Sequence, residues 1–142
     1  MCKTPADNVM KPDLPLDHVA VAVPSIRDAL PRYEFLTGAA SSAIERLDDQ
    51  DVAVAFIEGP VPLELIEPTT HDSGVARFLE RRGPGLHHIA YRTEDIGAEL
   101  ERLRNAGWRL IDEAPRTGAR GHRVAFIHPD ATGGVLVELV QR

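Results

Sequence analysis

Four residues of this chain have the types and the spacing to bind a divalent metal: His18, Glu64, His88 and Glu138. The two histidines sit in related strings, Leu16-Asp17-His18-Val19-Ala20 and Leu86-His87-His88-Ile89-Ala90. From His18 to Val54 and from His88 to Val124 the interval is the same, 36 positions, and at those points the chain reads Val54-Ala55-Phe56-Ile57 and Val124-Ala125-Phe126-Ile127. Each copy then ends in a carboxylate within an apolar string, Glu64-Leu65-Ile66 and Glu138-Leu139-Val140. The chain is therefore a duplicated unit. If its halves pack with pseudo-two-fold symmetry, two imidazoles and two carboxylates converge on one point, a donor set suited to a divalent cation.

Side-chain alternation supports this reading. His18 shares a strand face with Leu16, Ala20 and Ala22, as His88 does with Leu86 and Ala90. Glu64 falls on one side with Pro62 and Ile66, and Glu138 with Leu136 and Val140. A carboxylate in such a strand is costly to bury without a partner, by about several kcal/mol. A cation held by all four side chains would neutralise both carboxylates. A lone histidine in an amphipathic strand is more often a hydrogen-bonded core residue than a ligand. Here type and position recur in both halves, which a structural histidine does not require. His71, His122 and His128 have no repeat partner of the same type and are read as structural or surface residues, as is Glu67, which falls on the other face from Glu64. His87 points away from His88 and reads as a surface residue or a support for its neighbour.

The elements that must position these residues follow from periodicity and punctuation. Residues 16–23 alternate as a strand, Pro24 stops it, and Ser25 can cap a helix to about residue 37, where Gly38 ends it. Pro31 within that helix predicts a kink or a late start, because an interior proline costs about 3 kcal/mol. Strands follow near 43–47, 52–57 and 62–66. Asp72 or Ser73 then caps a short linking helix that ends at Gly83. The second copy predicts a strand at 86–92, a helix at 94–106, and strands at 108–111, 122–127 and 135–140. The fold class is α+β, with paired βαβββ modules forming a curved eight-stranded mixed sheet around a central metal cleft. Residues 1–14 read as a flexible leader and 15–142 as a single domain, with module one at about 15–68, the linker helix at about 72–83 and module two at about 85–141.

Composition narrows the function classes. The 142 residues are 43% hydrophobic and 27% charged, as in ordinary globular chains. Modules of about 60 residues are marginal alone, so the halves are expected to need each other. No apolar run approaches the about 20 residues of a membrane span, and the N-terminus lacks a signal-peptide core, so a cytoplasmic protein without a membrane partner is expected. The only cysteine is Cys2, which excludes an internal disulfide and a thiolate cluster. Any metal must then sit on N and O ligands. A net charge of −6 argues against nucleic acid as a partner.

The chain resembles the vicinal oxygen chelate superfamily, which includes glyoxalase I, extradiol dioxygenases and drug-resistance binding proteins, and within it the methylmalonyl-CoA epimerase family. The resemblance is carried by residues 16–23, by Asp72-Ser73 through Gly83-Pro84-Gly85-Leu86-His87-His88-Ile89-Ala90, by Asp112-Glu113-Ala114-Pro115-Arg116-Thr117-Gly118, and most distinctively by His128-Pro129-Asp130-Ala131-Thr132-Gly133-Gly134-Val135-Leu136-Val137-Glu138-Leu139. It spans nearly the whole domain. It implies a divalent ion on His18, Glu64, His88 and Glu138, with Co2+ the first choice and Mn2+, Ni2+ or Zn2+ as alternatives. It also implies a homodimer and interconversion of (2R)- and (2S)-methylmalonyl-CoA by removal and return of the C2 proton. Some members carry Gln where Glu64 stands; the carboxylate adds negative charge, which tightens metal binding and softens Lewis acidity.

The implied chemistry suits such a site. A methylmalonyl thioester offers its thioester carbonyl and its carboxylate to a metal, which then stabilises the enolate formed when C2 loses its proton. Inversion needs proton return on the opposite face. The resemblance gives Glu138 the role of one base. Some epimerases hold a glutamate where this chain has Val54, so either another carrier such as Glu64, Asp51 or a metal-bound water serves, or the activity differs from the one the resemblance implies. The anionic coenzyme A portion requires a basic contact, for which Arg116 and Arg120, in a loop rich in glycine and close to Arg123, are the candidates; a solvated turn is the plainer reading. Three alternatives compete. Glyoxalase I uses much the same ligands as a lactoylglutathione lyase. An extradiol dioxygenase wants two His and one carboxylate around iron, which leaves the fourth ligand over. A metal-free drug-binding protein would line its cleft with aromatic residues, and only 5% of this chain is aromatic.

Overall fold

The computed structural model of the chain describes residues 13–142. Most of the expected flexible leader, 1–14, therefore lies outside the described residues. Among the described residues there are three α-helices and eight strands, paired in both parallel and antiparallel fashion, which confirms the α+β class. The described residues divide into two compact units, His18–His88 and Ile89–Arg142 together with residues 13–17. The linking helix and the first half of the 85–92 strand thus belong with the first copy.

In the His18–His88 unit, β1 (Leu16–Ala22) runs parallel to β4 (Leu63–Pro68), and β3 (Val52–Ile57) pairs antiparallel with both β4 and β2 (Glu45–Leu47). The parallel pair is joined by α1 (Ile26–Thr37), whose buried Ile26 packs with Val23, Ala53, Ala55 and Leu65. Ser25 caps α1 through its hydroxyl, which accepts from Asp28 N, and Gly38 ends it in the left-handed conformation at φ 70°. Pro31 does not delay the helix, which starts at Ile26. The proline deprives only the Arg27 carbonyl of its helical donor, and Arg27 and Pro31 are both exposed, where water can take the place of that donor. α2 (Gly74–Arg82) is capped by Ser73, which settles the choice between Asp72 and Ser73.

The second unit repeats the plan. β5 (Gly85–Arg92) runs parallel to β8 (Val137–Gln141), and β7 (Arg123–Ile127) pairs with β8 and with the short β6 (Arg116–Thr117). α3 (Ile96–Asn105) buries Ile96, Leu100 and Leu103 against Ala125, Ile127, Val137 and Leu139. On this helix-covered face lies a cavity of about 350 Å³ bordered by Tyr91, Trp108, Val137 and the Arg102–Glu99 ion pair.

One strand differs from expectation. Residues 108–111 make only an isolated bridge, Leu110 to Ile127, because the Asp112 carboxylate takes the Phe126 amide at 2.8 Å and ends the pairing there. The eighth strand is instead β6, inside the stretch read as a loop. Its turn needs Gly118: a Cβ there would stand 2.8 Å from Val124 Cγ2.

Candidate metal centre

Register puts the ligands in place. Ala20 on β1 and Phe56 on β3 are both Cα partners of Glu64 on β4. Directly opposed residues share a face, so Glu64 emerges on the side of β1 that carries His18, two residues before Ala20. The small side chain of Ala20 leaves room beside the imidazole. Phe56 meets the His18 ring edge-on, with centroids 5.9 Å apart, and fixes its orientation. β5 supplies His88, whose ring lies 5.5 Å from that of His18 at 76°.

The three side chains meet at one carboxylate oxygen. Glu64 Oε1 stands 3.5 Å from His18 Nε2 and 3.5 Å from His88 Nε2. One ligand atom from each residue lies within 4.8 Å of the others, and all three residues are buried. A separation of 3.5 Å exceeds the usual hydrogen-bond length of about 2.7–3.2 Å. It is close to the about 3.0–3.4 Å that separates neighbouring donors around an ion with bonds near 2.1 Å. The donor set therefore fits a divalent cation: two imidazoles for affinity and a carboxylate for charge.

Glu138 occupies the equivalent place in the other unit. Its Cα partners are Ala90 on β5 and Phe126 on β7, the same residue types that flank Glu64, and it is buried as Glu64 is. Val54, Phe56 and Glu64 share a face of the first unit. Val54 is buried there, and its partner on β2 is Glu45, a half-buried carboxylate on the same face that sequence reasoning passed over. Only the register could have revealed it. Asp51 stands at the head of β3 with φ 57°.

The remaining candidates have structural work. Glu67 accepts a hydrogen bond from Ile26 N at 2.7 Å, and His128 Nδ1 accepts one from Asp130 N at 3.0 Å. His71 is exposed and His122 is half-buried. Arg116 lies 3.8 Å from Asp112 and over the Phe126 ring, while Arg120 is exposed in a left-handed turn at φ 61°. Among the described residues no helix is long and apolar enough to cross a membrane.

Residues 17–126 match the family model described as Glyoxalase/Bleomycin resistance protein/Dioxygenase superfamily. The chain belongs to that superfamily, and within it to the methylmalonyl-CoA epimerase family. A relative from Cereibacter sphaeroides named ethylmalonyl-CoA/methylmalonyl-CoA epimerase is 42% identical over 89% of this chain and 96% of its own length. The uncharacterized protein YqjC of Bacillus subtilis is 49% identical over 89% of this chain and 91% of its own. Among solved structures, a variant of Streptomyces coelicolor methylmalonyl-CoA epimerase in complex with 2-nitronate-propionyl-CoA is 33% identical, with a TM-score of 0.86 over 91% of this chain and 95% of that one.

Proposed function

We propose that this protein is an isomerase, a metal-dependent epimerase that interconverts (2R)- and (2S)-methylmalonyl-CoA. The observation that carries the reading is the buried meeting of His18, Glu64 and His88 at one carboxylate oxygen, in a chain of the epimerase family. His18, Glu64 and His88 hold the ion, and Glu138 is the fourth ligand on the strength of its matched Ala and Phe partners. When bound, the ion supplies Lewis acidity to the substrate's carbonyl and carboxylate oxygens. Cobalt is the first choice, with manganese, nickel and zinc as alternatives.

Glu138 takes the proton from C2. Ala20, Ala22 and Val54 give the site face of the first unit an apolar lining, which excludes water from a carbanion-like centre. Val54 carries no proton. We infer that Glu45, opposite it in register, returns one in place of the Glu64, Asp51 or solvent carriers that the sequence leaves open. The coenzyme A portion lies against Arg116 and Arg120, and the protein acts in the cytoplasm as a homodimer.

The test uses chelator-treated protein reloaded with each metal in turn and given methylmalonyl-CoA in D2O. Deuterium uptake at C2 with racemisation is expected. Glu45→Gln is expected to keep exchange of one enantiomer and lose racemisation. Absence of both exchange and racemisation with every metal in the unaltered protein sinks the assignment. A parallel assay with the methylglyoxal–glutathione hemithioacetal addresses the lyase reading, which the buried Val54 favours; turnover there alone establishes that reading instead. Arg116→Ala with Arg120→Ala is expected to raise KM for the CoA ester by about tenfold with little change in kcat, the loss of roughly 1.4 kcal/mol of uniform binding. Unchanged kinetics remove both arginines from the proposal.

A further inference from the structure

His87 lies next to a ligand in sequence but on the other side of the strand, and its ring nevertheless turns back to that ligand. Its Nδ1 is 2.9 Å from Nδ1 of His88, a hydrogen bond between neighbouring rings. One nitrogen must donate and the other accept. The direction is set at the far side of His88, where Nε2 faces Glu64 Oε1 at 3.5 Å. A nitrogen that binds a cation offers a lone pair, so the neutral ring of His88 carries its hydrogen on Nδ1 and donates it to His87. His87 then presents a bare Nδ1 and keeps its own hydrogen on Nε2.

We propose that His87 is a positioning residue that selects the metal-binding tautomer and ring orientation of His88. The inference rests on the metal-centre reading. It names a function for α2, which sequence reasoning treated as a linker. Phe78 of α2 meets the His87 ring with centroids 4.9 Å apart at 69°, and Arg82, one turn along the same helix, lies 5.6 Å above the Phe78 ring. The helix surface thus holds the acceptor, the acceptor orients the ligand, and the ligand meets the cation. Ligating histidines commonly use the second ring nitrogen in this way, and loss of such a partner typically weakens metal binding by about 10–100-fold.

The test compares His87→Phe, which keeps an aromatic ring against Phe78 but has no acceptor, with His87→Asn, whose Oδ1 stands close to where the imidazole Nδ1 stood. Chelator-treated full-length protein is titrated with Co2+ and followed by visible absorption, which reports both affinity and ligand geometry. Circular dichroism of the metal-free variants reports folding. The expected result is a Kd raised by about 10–100-fold and an altered absorption band in His87→Phe, with both restored near the unaltered values in His87→Asn. Nitrogen-15 spectra of the unaltered, zinc-loaded protein are expected to show the His88 hydrogen on Nδ1 and the His87 hydrogen on Nε2. Equal Kd values for His87→Phe and the unaltered protein overturn the inference, as does a His87→Asn variant no better than His87→Phe. If the unaltered protein takes up no metal, the metal-centre reading itself fails, which the titration distinguishes from a failure of His87 alone.

Discussion

Glu64 concentrates two opposed demands in one side chain. As a buried carboxylate facing two imidazoles it is suited to hold a cation, and without one its charge would be moved out of water for little return. Substitution Glu64→Gln keeps the shape and one donor oxygen while removing the charge. The expected outcome has two signs: metal affinity falls by at least about tenfold, while the chelator-treated variant melts no lower than the chelator-treated parent. Calorimetry with and without metal checks both, and a metal-free variant that melts well below its parent contradicts the placement of an ion there. His18, Glu64 and His88 were legible in the sequence because duplication marks them twice. The contact of His87 with His88 and the place of Glu45 beside Val54 were not, since one depends on a rotamer and the other on which strands pair.

At the scale of elements, the duplication extends to a device that motifs do not announce. Glu67, three residues past Glu64, accepts from Ile26 N at the start of α1; Gln141, three past Glu138, accepts from Ile96 N at the start of α3 at 2.8 Å. Each closing strand therefore caps the helix of its own copy. This satisfies an amide that the first turn leaves without a helical partner. It also explains why Glu67 faces away from the metal residues. Glu67→Ala is expected to destabilise the protein by about 1 kcal/mol and Glu67→Gln by much less, because the amide oxygen still accepts. Urea unfolding checks the pair, and equal losses would show that packing rather than capping accounts for the effect. Helix ends marked by Ser25, Gly38, Ser73 and Gly83 were read correctly from local chemistry. The late start that Pro31 could have imposed is absent and residues 108–111 form no strand, because propensity says nothing of whether a carbonyl faces water or whether a side chain such as Asp112 will take a ladder amide.

At the scale of the molecule, the count of eight strands among the described residues and the βαβββ order followed from a repeat visible in the sequence. The division into compact units did not, because its boundaries fall inside β1 and β5 rather than at the Gly- and Pro-rich punctuation around α2. Within each unit the same hydrogen bonds recur: Val19 N to Pro62 O and Val23 N to Ile66 O in one, Ile89 N to Leu136 O and Thr93 N to Val140 O in the other. The hydrogen-bonded frame is therefore duplicated more faithfully than the sequence that builds it. The asymmetry lies in what each copy carries. Trp108, the chain's only tryptophan, borders the cavity of the Ile89–Arg142 unit, whereas His18, Glu64 and His88 all belong to the other. Indole fluorescence consequently reports on the Ile89–Arg142 unit alone, whereas the colour of a bound cobalt ion reports on three side chains of the other unit together with the proposed fourth ligand, Glu138. Two denaturation curves from a single sample, one per signal, reveal by their coincidence or separation whether the halves come apart in one step.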